Sequence, residues 1–463
     1  MRNLFKNLRE YPLFQNDDFV RRVIALSVPI MAQQMLVAMV NLVDNLMVGQ
    51  LGEQAMSAVA LANKFFIIAL FAINGVAVSA SVYMSQFYGA KEYSELQQSY
   101  RFSLITSLAI SLFFVIPGIL FPVQIGSFFV KDASLHPFLQ DYMPIAALSY
   151  LPQVYSLNTQ NAMRTLGETK KPLMLSFLAV VSNVFFNYLL IFGKLGLPAL
   201  GVKGAAIGTL LARFVELIAC RLVLMHNNFP FGGRVKDVFR IAPPIAQAIS
   251  LKALPLVLNE IGYASGMALL LKFYGTRGRD VIASMTIMLT TSELFFVLFG
   301  GLAVATTVVV GHELGSNNLE KARSNAYRLY KLGILLCSFF ALLMFVFSFF
   351  VPDLYDVSDK VKAMSGFFLR IYSIFYVFYI VNSMAYQILR AGGDMKLTMA
   401  VDAGFFWLIN VPVVGIAAYF TDWSVYLMFI LGQFTDFLKI FLSGHLLSRE
   451  TWLRNLTIDV KKE

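Results

Sequence analysis

Charged side chains are scarce in this chain. They make up 14% of its 463 residues, while 58% are hydrophobic. Soluble domains carry about 25% charge, because a fold dissolved in water needs a polar surface. This chain cannot cover one, so its solvent is lipid. Cysteine is nearly absent too. Cys220 and Cys337 both lie in apolar stretches, which excludes a disulfide framework and gives neither thiol the neighbours of a reactive one. The four histidines, His136, His226, His312 and His445, are scattered without metal-ligand spacing. No Walker A loop is present, which argues against direct ATP hydrolysis. Nothing resembles a catalytic constellation, so the chain is not read as an enzyme. Residues 1–22 are polar and lack the short apolar run and small-residue cleavage site of a secretory signal. The first apolar span is therefore expected to be permanent.

What is abundant is helical-length apolar sequence, and the mean hydropathy is +0.68. A membrane-spanning helix needs about 20 mostly apolar residues. Such stretches fall near 24–48, 59–85, 100–121, 138–161, 172–193 and 201–225, and again near 250–274, 284–311, 328–351, 363–388, 398–419 and 425–447. Twelve in series predict an all-α, multi-pass membrane protein.

A net charge of +10 first suggests nucleic acid as a partner, but its distribution does not. With the N-terminus in the cytoplasm, the even-numbered loops and both tails hold 23 Lys and Arg, including Arg234 and Lys236, against 8 in the odd-numbered loops. The positive-inside rule then predicts two cytoplasmic termini in a plasma membrane. The basic excess is assigned to topology and anionic lipid.

An internal repeat organises the chain. The offset that carries Pro29 onto Pro255 also carries Gly49 onto Gly275, Gly75 onto Gly301, Gly89 onto Gly315, Arg164 onto Arg390, Gly167 onto Gly393, Glu168 onto Asp394 and Lys170 onto Lys396. The loops NAMRTLGETKK and QILRAGGDMKL match in Arg, Gly, acid and Lys together. Six helices is an even number, so both halves are expected to enter the membrane in the same orientation, related by a pseudo-two-fold along its normal. The expected division is an N-lobe over 1–225, a polar Gly- and Pro-rich linker over 226–247 and a C-lobe over 248–463. Two lobes around a midplane cleft suit alternating access.

Ionisable groups inside apolar spans are costly and mark function or a partner. Asp44, in NLVDNLMVGQ, can share a helix face with Asn41. Removal from water disfavours its charged form and makes it a candidate carrier of a proton. The bland alternative is an interfacial carboxylate that caps or snorkels. Glu260 sits mid-span in LPLVLNEIGYA, and its repeat partner is Gln34. Asn183 and Asn187 are four residues apart on one face, suited either to an ion or to interhelical hydrogen bonding. Arg213 with Glu216, and Lys439 with Asp436, are spaced to neutralise each other as structural ion pairs. The deepest carboxylates have no Arg nearby in sequence and are read as unpaired. Gln33, Gln34, Asn41, Tyr263, Asn382 and Asp402 are candidate walls of a substrate cavity.

VDNLMVGQLGEQAMSAVALA, NVFFNYLLIFGKLGLPALGVKGAAIGT and the two paired loops resemble the multidrug and toxic compound extrusion (MATE) transporters, and the resemblance spans nearly the whole chain. It implies two six-helix bundles forming a V around a cavity, and efflux of organic, often cationic compounds against inward H+ or Na+. Asp44 is similar to the family's first-helix carboxylate and Asn183 to its fifth-helix Asn, a place for Na+ if sodium is the coupling ion. Asn187 stands where some members have Asp. Glu260 is similar to the seventh-helix Glu of the NorM-like branch, while Tyr379 or Asn382 replaces that branch's tenth-helix Asp. Thr209 is a further candidate ion ligand. The expectation is thus an H+- or Na+-coupled antiporter of small organic cations, monomeric and without a cofactor. The alternative is a flippase for lipid-linked precursors in the same superfamily.

Overall fold

The computed structural model describes residues 2–14, 18–232 and 237–462. Arg234, Lys236 and part of the 226–247 linker lie outside them. Lipid offers no hydrogen bonds to the backbone, so a spanning segment must satisfy its own. Accordingly, the described residues are mostly helical and contain no strand. They hold twelve long helices: α1 (Phe19–Gly49), α2 (Glu53–Gly89), α3 (Tyr93–Leu120), α4 (His136–Thr165), α5 (Lys170–Phe192), α6 (Gly201–Asn227), α7 (Pro243–Gly275), α8 (Arg279–Gly315), α9 (Leu319–Phe347), α10 (Asp359–Ala391), α11 (Met395–Phe420) and α12 (Val425–Ser448). Each overlaps one of the twelve apolar stretches. Ten are long and apolar enough to cross a membrane on those grounds alone. The other two, α4 and α6, carry the polar side chains described below.

The chain divides into two compact units. One is Val28–Ala253, here the N-unit; the other joins Met1–Ser27 to Leu254–Lys462, here the C-unit. The repeat is visible in the backbone of each. Positive φ recurs at Gly52 and Gly278, at Lys91 and Asn317, and at Gly167 and Gly393, each pair related by the repeat offset. Gly167 (φ 86) and Gly393 (φ 80) explain the matched loops. Both turns need a left-handed residue, which costs glycine little.

Within the N-unit, α5 and α6 pack closely because α6 opens with small residues. A Cβ on Gly204 would lie 2.5 Å from the Leu190 carbonyl oxygen, and one on Gly208 would lie 2.2 Å from Asn187 Oδ1. Lipid tails are as apolar as Leu, so helices associate through such close van der Waals contact and through hydrogen bonds. Phe66, Tyr142, Met143, Ile191 and Ala206 are buried around this contact.

In the C-unit, α11 departs from α-helical geometry. Ala400–Gly404 and Phe406–Asn410 are π-helical. Such a bulge adds a residue to a helix and is frequent at functional sites. Its effect here is on register: Asn410 lies one position beyond the repeat equivalent of Asn183. Asn410 Nδ2 donates to Thr435 Oγ1 at 2.6 Å, as Asn183 Nδ2 donates to Thr209 Oγ1 at 3.3 Å in the N-unit. Thr435 keeps the unshifted offset from Thr209. The extra residue in α11 thus preserves an Asn–Thr bond between the last two helices of each unit.

The short helix Arg2–Glu10 belongs to the C-unit. Asn7 Nδ2 donates to Tyr327 Oη and to Glu450 Oε1, both at 2.9 Å. Arg323 holds the same Glu450 at 2.9 Å.

Candidate ion and substrate site

Three helices of the N-unit, α1, α5 and α6, build one polar constellation. Asn187 Nδ2 donates to Asp44 Oδ1 at 2.7 Å and to Asn183 Oδ1 at 3.3 Å. Asn183 continues the chain to Thr209. Asn183 and Asn187 are buried, at 6% and 2% exposure, while Asp44 is half-buried. Asn187 Oδ1 is buried and has no hydrogen-bond partner. An orphaned acceptor in the protein interior is costly. Asn187 turns its Nδ2, not this oxygen, toward Asp44 and Asn183, so the cluster is a carboxylate held by an amide donor, with the Asn183 amide oxygen and the Thr209 hydroxyl close by.

Asp44 lines two cavities. The smaller, of about 90 Å³, also takes in Asn41, Ser176, Asn183, Thr209, Arg213 and Glu216. The larger, of about 350 Å³, is walled by Asn41, Asn45, Asn63, Tyr142, Tyr150, Gln153, Asn187 and Arg213 among others. The larger cavity combines aromatic surface, amides and one acid, as small-molecule sites do. Asn63, Tyr142, Tyr150 and Gln153 were not singled out from sequence. Each lies on α2 or α4, and their only sequence signal is polarity within a span.

The remaining candidates lie elsewhere. Gln33 is buried between helices, donating to Gln160 at 2.7 Å and Ser176 at 2.6 Å, and it is on the wall of neither cavity. Gln34 is exposed. The others belong to the C-unit. Glu260 Oε1 lies 3.5 Å from Arg390 Nη2, which corrects the reading of the deepest carboxylates as unpaired. The two residues are far apart in sequence, and Glu260 and Arg390 meet only because α7 and α10 do. Asp402 is also paired: it lies 3.3 Å from Lys439 and accepts from Asn259 at 3.1 Å. Lys439 is 3.9 Å from Asp436 and Arg213 is 2.9 Å from Glu216, the pairings their spacing predicts. Tyr263 stacks obliquely on Phe406 at 5.1 Å. Asn382 is spent on structure, donating to the Asp436 carbonyl oxygen and accepting from Ser443.

The two units differ at the constellation itself. In the C-unit, the position equivalent to Asp44 is Leu270, and the one equivalent to Asn187, after the shift in α11, is Val414. Both are buried in an apolar cluster with Tyr274, Val411 and Phe429. The Asn–Thr bond persists there, but the acid and the second amide are gone. The acid-bearing cluster belongs to the N-unit.

A polytopic helical chain with a duplicated six-helix pattern and a polar, acid-containing cavity within one repeat has the features of a membrane transporter. The MatE family model matches residues 29–189 and 255–416, and the chain belongs to that family, whose members are transporters. The starts of the two matched segments are related by the repeat offset, while their ends are displaced by one position more, the drift that the π-helical segment of α11 introduces. A probable multidrug resistance protein NorM of Oceanobacillus iheyensis is 24% identical over 411 residues, covering 87% of this chain and 91% of the relative. The multidrug resistance protein MdtK of Yersinia pseudotuberculosis is 23% identical, covering 85% and 86%. A crystal structure of a MATE transporter in the bent conformation superposes with a TM-score of 0.83 at 20% identity, over 97% of this chain and 98% of the other. The twelve-helix, two-lobe fold is thus the fold of the family.

Proposed function

We propose that the protein exports small organic cations by exchange for an inward-moving H+ or Na+, with Asp44 serving both. The observation that carries this reading is the Asp44–Asn187–Asn183–Thr209 constellation opening onto a cavity of about 350 Å³. An antiporter needs a group whose occupancy by ion and by substrate is mutually exclusive. A half-buried carboxylate meets that need. Empty, it attracts a lipophilic cation; protonated or bound to Na+, it is neutralised and releases it. The coupling ion can shift the conformational equilibrium only by its differential affinity for the two states. The names of the NorM and MdtK relatives support multidrug efflux as the physiological role, and the charge asymmetry of the loops supports cytoplasmic termini.

The test is efflux of an organic cation from proteoliposomes under separately imposed pH and Na+ gradients, with wild type beside Asp44→Asn. This substitution keeps the shape and removes the charge. The mutant is expected to fold and to lose uphill transport with either ion. Comparable uphill pumping by the mutant would sink the reading.

A further inference from the structure

Ion coupling at Asp44 does not use two charges that share its walls. Arg213 lies one turn beyond Thr209 on α6 and lines both cavities that Asp44 lines. Its Nη1 donates to Glu216 Oε2 at 2.9 Å. Glu216 is 4% exposed, and its other oxygen accepts from Gln160 Nε2 at 2.9 Å. Gln160 Oε1 in turn accepts from Gln33 and Ser176. Glu216 is therefore anchored on both oxygens, and the amide cluster that holds it contains Gln33, which lies off the cavity walls. The Arg213 side chain is more open, at 32% exposure against 5% for that of Glu216.

Among the described residues, Asp44, Arg213 and Glu216 are the only charged ones on the walls of the two cavities. The other polar groups there are amides, hydroxyls and the phenols of Tyr142 and Tyr150. Asp44 and Arg213 line both cavities and Glu216 the smaller alone; taken together, two acids and one base leave one uncompensated negative charge when Asp44 is empty. In a site shielded from water, charges interact far more strongly than in bulk solvent, so that net value governs which ligands enter.

We propose that Arg213, held in place by Glu216, sets the charge selectivity of this cavity, so that it takes organic monocations in preference to dications. Asp44 supplies the attraction. Arg213 is a tethered cation that repels a second positive charge, and Glu216 prevents Arg213 from neutralising Asp44 itself. The inference rests on the reading of Asp44 given above and deepens it by naming a substrate class and the pair that selects it.

The experiment uses full-length protein in proteoliposomes. Tetraphenylphosphonium, with one charge, is the transported probe, and methyl viologen, with two, is the competitor. The quantity read is the tetraphenylphosphonium KM divided by the methyl viologen inhibition constant. Arg213→Met should raise that ratio at least tenfold in favour of the dication. Glu216→Gln should weaken both ligands, the dication more. Arg213→Lys keeps the charge and should stay within about threefold of wild type. The double variant Arg213→Met with Glu216→Gln restores the net charge of the wall and should return the ratio to near wild type. An unchanged ratio in Arg213→Met, or a double variant that fails to return, would overturn the proposal. Asp44→Asn runs beside these variants. If it still pumps uphill, the reading of Asp44 falls; if it is inactive and the ratios do not move, only the role of Arg213 and Glu216 falls.

Discussion

A Cβ on Gly208 would stand 2.2 Å from Asn187 Oδ1 and 3.0 Å from the Asn187 backbone nitrogen. The absence of a side chain at Gly208 is what lets Asn187 reach Asp44. Gly204 does the same for the backbone one turn earlier, against Leu190. The stretch GVKGAAIGT therefore draws α6 onto α5 until Thr209, Asn183 and Asn187 form one cluster.

Gly208→Ala is accordingly expected to displace the Asn187 side chain and break its 2.7 Å bond to Asp44. Hydrogen bonds to charged groups contribute about 1.5–3 kcal/mol, or roughly ten- to a hundredfold in an equilibrium constant. That bond favours the ionised, ion-free carboxylate, so the half-saturating concentration of a coupling proton should fall by up to that factor, with the protein still folded. Ion-dependent transport at matched protein levels checks this. Unchanged ion affinity would show that Asn187 is dispensable.

Glu260→Gln leaves Arg390 without its acid. Arg390 Nε is already buried and unpartnered. Breaking a fully buried pair costs about 3–5 kcal/mol; Glu260, with a side chain 34% exposed, should fall below that range. We expect lower expression and thermal stability in Glu260→Gln, partly restored by adding Arg390→Met. If instead Glu260→Gln is stable but transport-dead, and Arg390→Met does not restore it, Glu260 acts directly in transport.

Gly392 tests the second matched loop. A Cβ there would lie 2.0 Å from the Trp452 carbonyl oxygen, and Asp394 in the same loop binds Arg454 and Thr451, both at 2.6 Å. The repeat partner of Gly392 is Leu166, so the glycine serves the docking of the C-terminal segment rather than the turn. Overpacking typically costs about 1–3 kcal/mol, so Gly392→Ala should lower the Tm in detergent by several degrees. Leu166→Ala should not introduce that clash, and a similar loss from both would refute the argument.

Topology is tested by single cysteines in a background lacking Cys220 and Cys337. Lys6→Cys and Ile458→Cys sit on exposed positions near the termini and should react with an impermeant maleimide only after permeabilisation. Leu195→Cys and Leu354→Cys, in the α5–α6 and α9–α10 connections and 84% and 81% exposed, should react in intact cells. The reverse pattern would invert the assignment.

Much of this was legible in the sequence because lipid imposes simple rules. Backbone groups must be paired within a span, so apolar stretches marked where all twelve helices lie, although α4 and α6 are more polar than the other ten, and an ionisable residue in a span stands out. Asp44 and the Asn183–Asn187 face were visible because a helix puts residues four apart on one side. The internal repeat was visible for a related reason: a duplicated backbone needs glycine at the same left-handed turns, as at Gly167 and Gly393. Periodicity, however, speaks only of one helix at a time. That Glu260 meets Arg390, that Asp402 meets Lys439, and that Gln33 is bonded to Gln160 and Ser176 were decided by which helices touch. The equivalence of Asn410 and Asn183 was hidden by a single residue, because a π-helical insertion shifts the register of α11 without disturbing its hydropathy. The sequence by itself determined the solvent, the helices and the duplication, since each follows from local composition. Only the tertiary structure decided which polar groups share a cavity, since that depends on how closely glycines such as Gly204 and Gly208 let two helices approach.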